Sequence, residues 1–157
     1  MQSRIDYGKI APGAVQAMLG LEGYVRQSGL DHALLDLIRT RASQLNGCAY
    51  CIDMHTKDAR ARGEHEQRLY ALSAWRETPF FSPRERAALA WTEAVTLIAD
   101  RHAPDDVYED ARRFFSEKEL VDLTLAIVAI NGWNRLAISM RTVPGTYQPA
   151  AVAADRR

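Results

Sequence analysis

Strand-like alternation is missing from this sequence: nowhere does an apolar–polar period of two persist between turn signals, and no internal repeat is found. Sheet-based folds are thereby excluded. Excess charge is missing too. Lys plus Arg and Asp plus Glu number 20 each, with no basic run, so there is no electrostatic footprint for nucleic acid or an anionic membrane surface. The opening MQSRIDYGKI lacks the charged–apolar–small order of a secretion signal. The most apolar run, residues 120–130, is shorter than a bilayer span and contains Asp122. A cytoplasmic location without membrane partners is the expectation. Cysteine is scarce, with Cys48 and Cys51 the whole complement, which excludes a disulfide scaffold. In a reducing compartment a lone cysteine pair is more often catalytic or metal-binding than structural.

What is present reads as helices. The chain has 157 residues, 47% apolar and 25% charged, enough for one domain with its own core. The expected organisation is a single domain over residues 1–157, with a core at about 10–142 and a C-terminal arm at 143–157 rich in turn-forming Pro and Gly. Pro12 can open a first helix carrying Val15, Met18, Leu19, Leu21 and Val25, and Gly29 can end it. Asp31 is an N-cap for a second, Asn46-Gly47 a break, and Gly63 the stop of a third that begins near Cys48. A short fourth contains Leu69, Leu72 and Trp75. Ser82-Pro83-Arg84-Glu85 and Ser116-Glu117-Lys118-Glu119 are capping boxes, the first opening a helix through Ile98 and the second one reaching about Met140. Asp105 and Asp106 suit the start of a short helix between them. The fold class is therefore all-α, with about six to seven helices. The last helix is apolar nearly all round, and in so short a chain part of its burial is expected from a homo-oligomer.

The stretch QLNGCAYCIDMH, residues 44–55, concentrates the reactive groups. On a helix, Cys48, Cys51 and His55 form one stripe. Cys48 lies in the first turn, where free N–H groups favour a thiolate, and Cys51 is within the same field. A neutral His55 can take a thiol proton, and as an imidazolium it would stabilise the anion. Two cysteines this close can resolve an oxidised sulfur as a disulfide. Two other readings compete with a dithiol centre. Free cysteines are commonly buried as small hydrophobes. Zinc would find three donors on one helix, but His32, His65 and His102 offer no ligand-like spacing for a fourth, so no metal is expected. The βαβ setting of thioredoxin-like motifs is absent.

Residues 34–60, LLDLIRTRASQLNGCAYCIDMHTKDAR, resemble the carboxymuconolactone decarboxylase superfamily and its alkyl hydroperoxidase D (AhpD)-like members. The segments 70–75, 81–89 and 130–135 share the resemblance, which spans about residues 10–142. It implies an all-helical trimer or hexamer without metal or organic cofactor. It also implies a reaction that turns a hydroperoxide into an alcohol while a dithiol becomes a disulfide. An external thiol donor of lipoyl or thioredoxin type would restore the dithiol. By the same resemblance Cys51 would attack, and Cys48 would donate a proton and then resolve the sulfenic acid. His55 would relay a proton with help from a carboxylate on the preceding helix. The helix-start field instead favours Cys48 as thiolate, so spacing leaves the order open. Twelve positions before Cys48, where peroxidase members carry Glu, stands Asp36, shorter by about 1.5 Å. Its alternative is a solvated helix position. Glu93 is a second candidate carboxylate, its alternative an ion pair with an arginine such as Arg135. Tyr50 and the tryptophans suit either a peroxide pocket or the core. Three other activities stay open: lactone decarboxylation, which needs no thiol pair, a redox adaptor between partner proteins, and a zinc-binding scaffold.

Overall fold

The computed structural model describes residues 2–150. It is all-helical, and no strand occurs among the described residues. The helices are α1 (Tyr7–Ile10), α2 (Pro12–Gln27), α3 (His32–Asn46), α4 (Ala49–Ala61), α5 (Glu66–Ala71), α6 (Pro83–Thr96), α7 (Ile98–Arg101), α8 (Asp105–Arg112) and α9 (Glu117–Met140), with a 3-10 segment over Leu72–Glu77. Both capping boxes form. Ser82 accepts from the Glu85 N–H while Glu85 receives the Ser82 N–H at 2.7 Å, and Ser116 and Glu119 repeat the arrangement.

The nine helices among the described residues exceed the expected six to seven because two single-turn helices carry no strong pattern of their own. Tyr7–Ile10 is capped by Asp6, and Ile98–Arg101 is separated from α6 where Leu97 leaves helical geometry (φ −99°, ψ 37°). Ile98 consequently lies off the α6 face and is 48% exposed.

At the centre α3 packs against α4, α6 and α9. The larger core cluster joins Leu34, Leu35 and Ile38 of α3 to Ala88 and Trp91 of α6 and Leu123 and Ile127 of α9. A second holds Leu37, Leu72, Trp75, Phe81 and Leu89. The 24-residue α9 passes the length and hydropathy test for a membrane span, longer than the run of residues 120–130 suggested. Here it is the central core helix, and its Asp122 is buried, accepting from Tyr24 at 2.9 Å and Lys118 at 2.6 Å. Val121, Val128 and Ile138 stay exposed on its outer face.

The α3–α4 turn positions the thiols. Gly47 adopts φ 69°, ψ 30°, the left-handed conformation that glycine reaches without steric cost. The Gly47 N–H bonds back to Gln44 and the Cys48 N–H to Ser43, a Schellman closure that satisfies the last carbonyls of α3. Cys48 then starts α4 as its N-cap. One residue thus closes one helix with its N–H and opens the next with its sulfur.

The C-terminal arm is anchored by hydrogen bonds. Through residue 150 it folds back on α4 of its own chain. Lys57 Nζ donates to the carbonyls of Gly145 and Tyr147, the Gly145 N–H donates to Asp53, and the Tyr147 hydroxyl donates to Asp58 at 2.7 Å. Residues 151–157 of the expected arm, and Met1 of the expected domain, lie outside the described residues.

Candidate active site

Cys48 and Cys51 are free thiols, both buried, with their sulfurs 2.7 Å apart in hydrogen-bond contact. The Cys51 N–H also reaches Cys48 Sγ at 3.4 Å, as an N-cap bond. Donation from Cys51 is the main reason the Cys48 thiol is lowered to about 7, with backbone N–H groups of the first turn adding to it against burial. Cys51 is pushed the other way, because its proton is held by Cys48 and because it is buried. Ionisation of the pair therefore falls first on Cys48.

A cavity of about 590 Å³ opens beside the pair. Cys51 and His55 line it, and Cys48 does not. Its walls are helix faces at three- and four-residue spacing: Leu19, Glu22 and Arg26 from α2, His32, Leu35 and Arg39 from α3, and Cys51, Met54, His55 and Asp58 from α4. Trp133 and Ala137 of α9 close the thiol end, and Tyr147 of the arm covers α4. Tyr50 and Trp133 are cavity residues, whereas Trp75 and Trp91 belong to the core. Burial and the Asp58 hydrogen bond push the Tyr147 phenol up to about 12, so the arm's anchor stays protonated at neutral pH.

His55 is 6% exposed, and neither ring nitrogen has a protein partner. Burial, then the guanidinium groups of Arg39 and Arg62, hold its pKa down to about 3. The expected thiolate-stabilising imidazolium is thus costly here, and His55 stands as a neutral donor–acceptor on the cavity wall. Asp36 is buried behind that wall, where Arg62 Nη1 donates to its two oxygens at 2.9 and 2.7 Å. Asp36 makes no hydrogen bond to His55, and it is not a solvated position either. Burial raises its pKa despite Arg62. Glu93 lies elsewhere. It accepts from Arg41 and Trp75 Nε1, each at 2.8 Å, and from Arg76, and these partners hold its pKa down against burial. The structure does not bring Glu93 to the thiol cavity; the alternative ion pair with arginine forms, through Arg41 and Arg76 rather than Arg135, which bonds to Asn131. No cluster of three or more potential metal-ligating His, Cys, Asp or Glu side chains forms among the described residues.

One residue escaped the sequence reading. Asn134 of α9 is fully buried, donates to Ser43 Oγ at 3.1 Å and accepts from Asn46 at 2.8 Å. Its amide is also within hydrogen-bonding reach of both sulfurs and favours their anionic forms. The signal was available: an amide inside an otherwise apolar helix needs buried partners. Replacing it by leucine should raise the pH midpoint of thiol alkylation by iodoacetamide and lower unfolding stability by about 1–3 kcal/mol through the orphaned partners. Asn134→Asp should raise the midpoint further by adding negative charge. An unmoved midpoint in both variants would limit Asn134 to a structural role.

The sequence and the fold are similar to those of known proteins. Residues 12–94, more than half the chain, match the sequence model of the Carboxymuconolactone decarboxylase family. The uncharacterized protein YdfG of Bacillus subtilis is 48% identical over 140 residues, covering 89% of this chain and 95% of that protein. The chain belongs to the carboxymuconolactone decarboxylase family. Within this family its fold is AhpD-like. The crystal structure of an Agrobacterium tumefaciens protein of unknown function, provisionally named an antioxidant defence protein AhpD, superimposes with TM-score 0.90 at 47% identity, covering 93% of this chain and all of that one. The debrominase Bmp8 shares the fold alone, with TM-score 0.77 at 21% identity over 86% of this chain and 73% of its own. Family membership thus agrees with the resemblance carried by residues 34–60.

Proposed function

We propose that this protein is a thiol-dependent peroxidase that reduces organic hydroperoxides through Cys48 and Cys51. The observation that carries this reading is the thiol pair at 2.7 Å, of which Cys51 faces a cavity it shares with a neutral histidine. The lowered Cys48 thiol supplies the ionisation and Cys51 the access. As Cys51 attacks the terminal peroxide oxygen, its proton passes to the Cys48 thiolate. The O–O bond breaks, Cys51 becomes a sulfenic acid, and the departing alkoxide takes a proton through His55 to leave as the alcohol. Cys48 then attacks the Cys51 sulfur, the S–S bond forms and water departs. The protein is oxidised by two electrons and the peroxide is reduced by two. An external dithiol, of lipoyl or thioredoxin type, returns the pair to its reduced state by thiol–disulfide exchange.

The exposed row of Val121, Val128 and Ile138 on α9 supports assembly as a homo-oligomer, a trimer or hexamer. The test of the chemistry is the intact mass of reduced protein before and after one equivalent of cumene hydroperoxide. A loss of about two mass units, with one equivalent of alcohol formed, is the expected result. Unchanged mass would remove the peroxidase reading.

A further inference from the structure

The cavity continues well past the thiols, and its polar groups there are unevenly committed. Arg39 and Glu22 face each other across the α2–α3 wall, joined at 2.7 Å, with their side chains only 13% and 14% exposed. That contact uses Arg39 Nη2. Arg39 Nε is buried and has no hydrogen-bond partner. The acids around it are occupied: Glu22 by Arg39, Asp58 by the Tyr147 hydroxyl and Asp36 by Arg62. Leaving a guanidinium N–H unpaired in a buried place is expensive, and an oxyanion is the group its planar edge fits best. Arg26, one turn beyond Glu22 on α2, and His32 add a basic rim on the same side. Between this rim and Cys51 the lining is largely apolar, with Leu35, Met54 and Trp133. The α4 part of the lining runs from Cys51 to Asp58, a rise of about 10 Å, which leaves room for a carbon chain along the helix.

We infer that the substrate is an organic hydroperoxide bearing a carboxylate, with the acid against the cavity face of the Arg39 guanidinium and the peroxide at Cys51. This assignment rests on the thiol-peroxidase reading and names its substrate class. A neutral peroxide of the same length would make no charge-assisted bond to the Arg39 guanidinium and would bind less well.

The test compares the hydroperoxide of linoleic acid with that of its methyl ester in single-turnover oxidation of the reduced protein, read as loss of free thiol. The acid should half-saturate the reaction at a concentration lower by about tenfold or more, the worth of one charge-assisted hydrogen bond. Octanoate should compete with both compounds, while octanol should not. In Arg39→Gln the acid-to-ester ratio should fall to near one. Equal half-saturation by acid and ester in the wild-type protein would overturn the carboxylate assignment and leave the peroxidase reading standing. No thiol loss with either compound would overturn both.

Discussion

Cys51→Ser will lose hydroperoxide consumption by roughly 10³-fold or more, while Cys48→Ser will still be oxidised, more slowly, and will stop at a sulfenic acid. The asymmetry follows from two facts that pull in opposite directions. Ionisation favours Cys48: it accepts the Cys51 thiol proton and the Cys51 backbone N–H, and its pKa is lowered to about 7. Access favours Cys51, which lines the cavity when Cys48 does not. A nucleophile must reach within bonding distance of the peroxide, and no degree of ionisation substitutes for that approach. In Cys51→Ser the serine hydroxyl can still donate to Cys48, so a thiolate remains, yet it lies behind the residue that meets the substrate. In Cys48→Ser the accessible sulfur remains but has no thiolate to take its proton and no partner to form a disulfide. Intact mass after one equivalent of hydroperoxide reads both outcomes, with one added oxygen on Cys48→Ser and none on Cys51→Ser. The reverse pattern would assign the attack to Cys48 and make ionisation the deciding factor.

Features set by neighbouring residues were legible in the sequence, and features set by helix docking were not. The Ser82 and Ser116 capping boxes are formed by groups three residues apart, and they appear where read. Asn46-Gly47 announced the break that seats Cys48 as an N-cap, because a left-handed residue after a helix is a local steric requirement. Cys51 and His55 share one face of α4, as helical period requires, whereas Cys48 stands just outside the helix as its N-cap. Asp36, by contrast, was placed by counting along the chain, and its partner depends on which side chain just past the end of α4 reaches it. That is Arg62, 26 residues away, whose guanidinium covers the carboxylate and separates its role from His55. Glu93 gathers Arg41 from α3 and Trp75 and Arg76 from the 3-10 segment, an arrangement no single period encodes. Asn134 has no sequence relation to the thiols at all, since it reaches them across the α3–α9 contact through Ser43 and Asn46. The arm looked free because its anchors, Asp53 and Asp58, sit about 90 residues earlier, on the outer face of α4.

The same division of labour fixes the pH dependence. Oxidation of the reduced protein should rise about tenfold per pH unit up to about 7 and then level, because the reactive form is the pair that has lost one proton. The sign follows from Cys48, whose lowered pKa means that the thiolate is lost as pH falls through about 7 and is nearly complete one unit above it. Cys48→Ser removes that acceptor and returns ionisation to Cys51 alone, which burial disfavours. At pH 7 its rate should drop by roughly fiftyfold or more, with the inflection moved to pH 9 or above, about the range of an ordinary or buried thiol. His55 would also give an inflection near neutrality if it titrated in its usual range, and this separates the two groups. Its pKa is held at about 3 by burial and by Arg39 and Arg62, so it is neutral throughout the window. His55→Gln should therefore lower the plateau rate by removing the proton path to the alkoxide, while the inflection stays near 7. Stopped-flow loss of free thiol between pH 5 and 9.5 distinguishes these outcomes. An inflection that disappears with His55 and persists in Cys48→Ser would show that the histidine, not the cysteine pair, holds the proton whose loss starts the reaction.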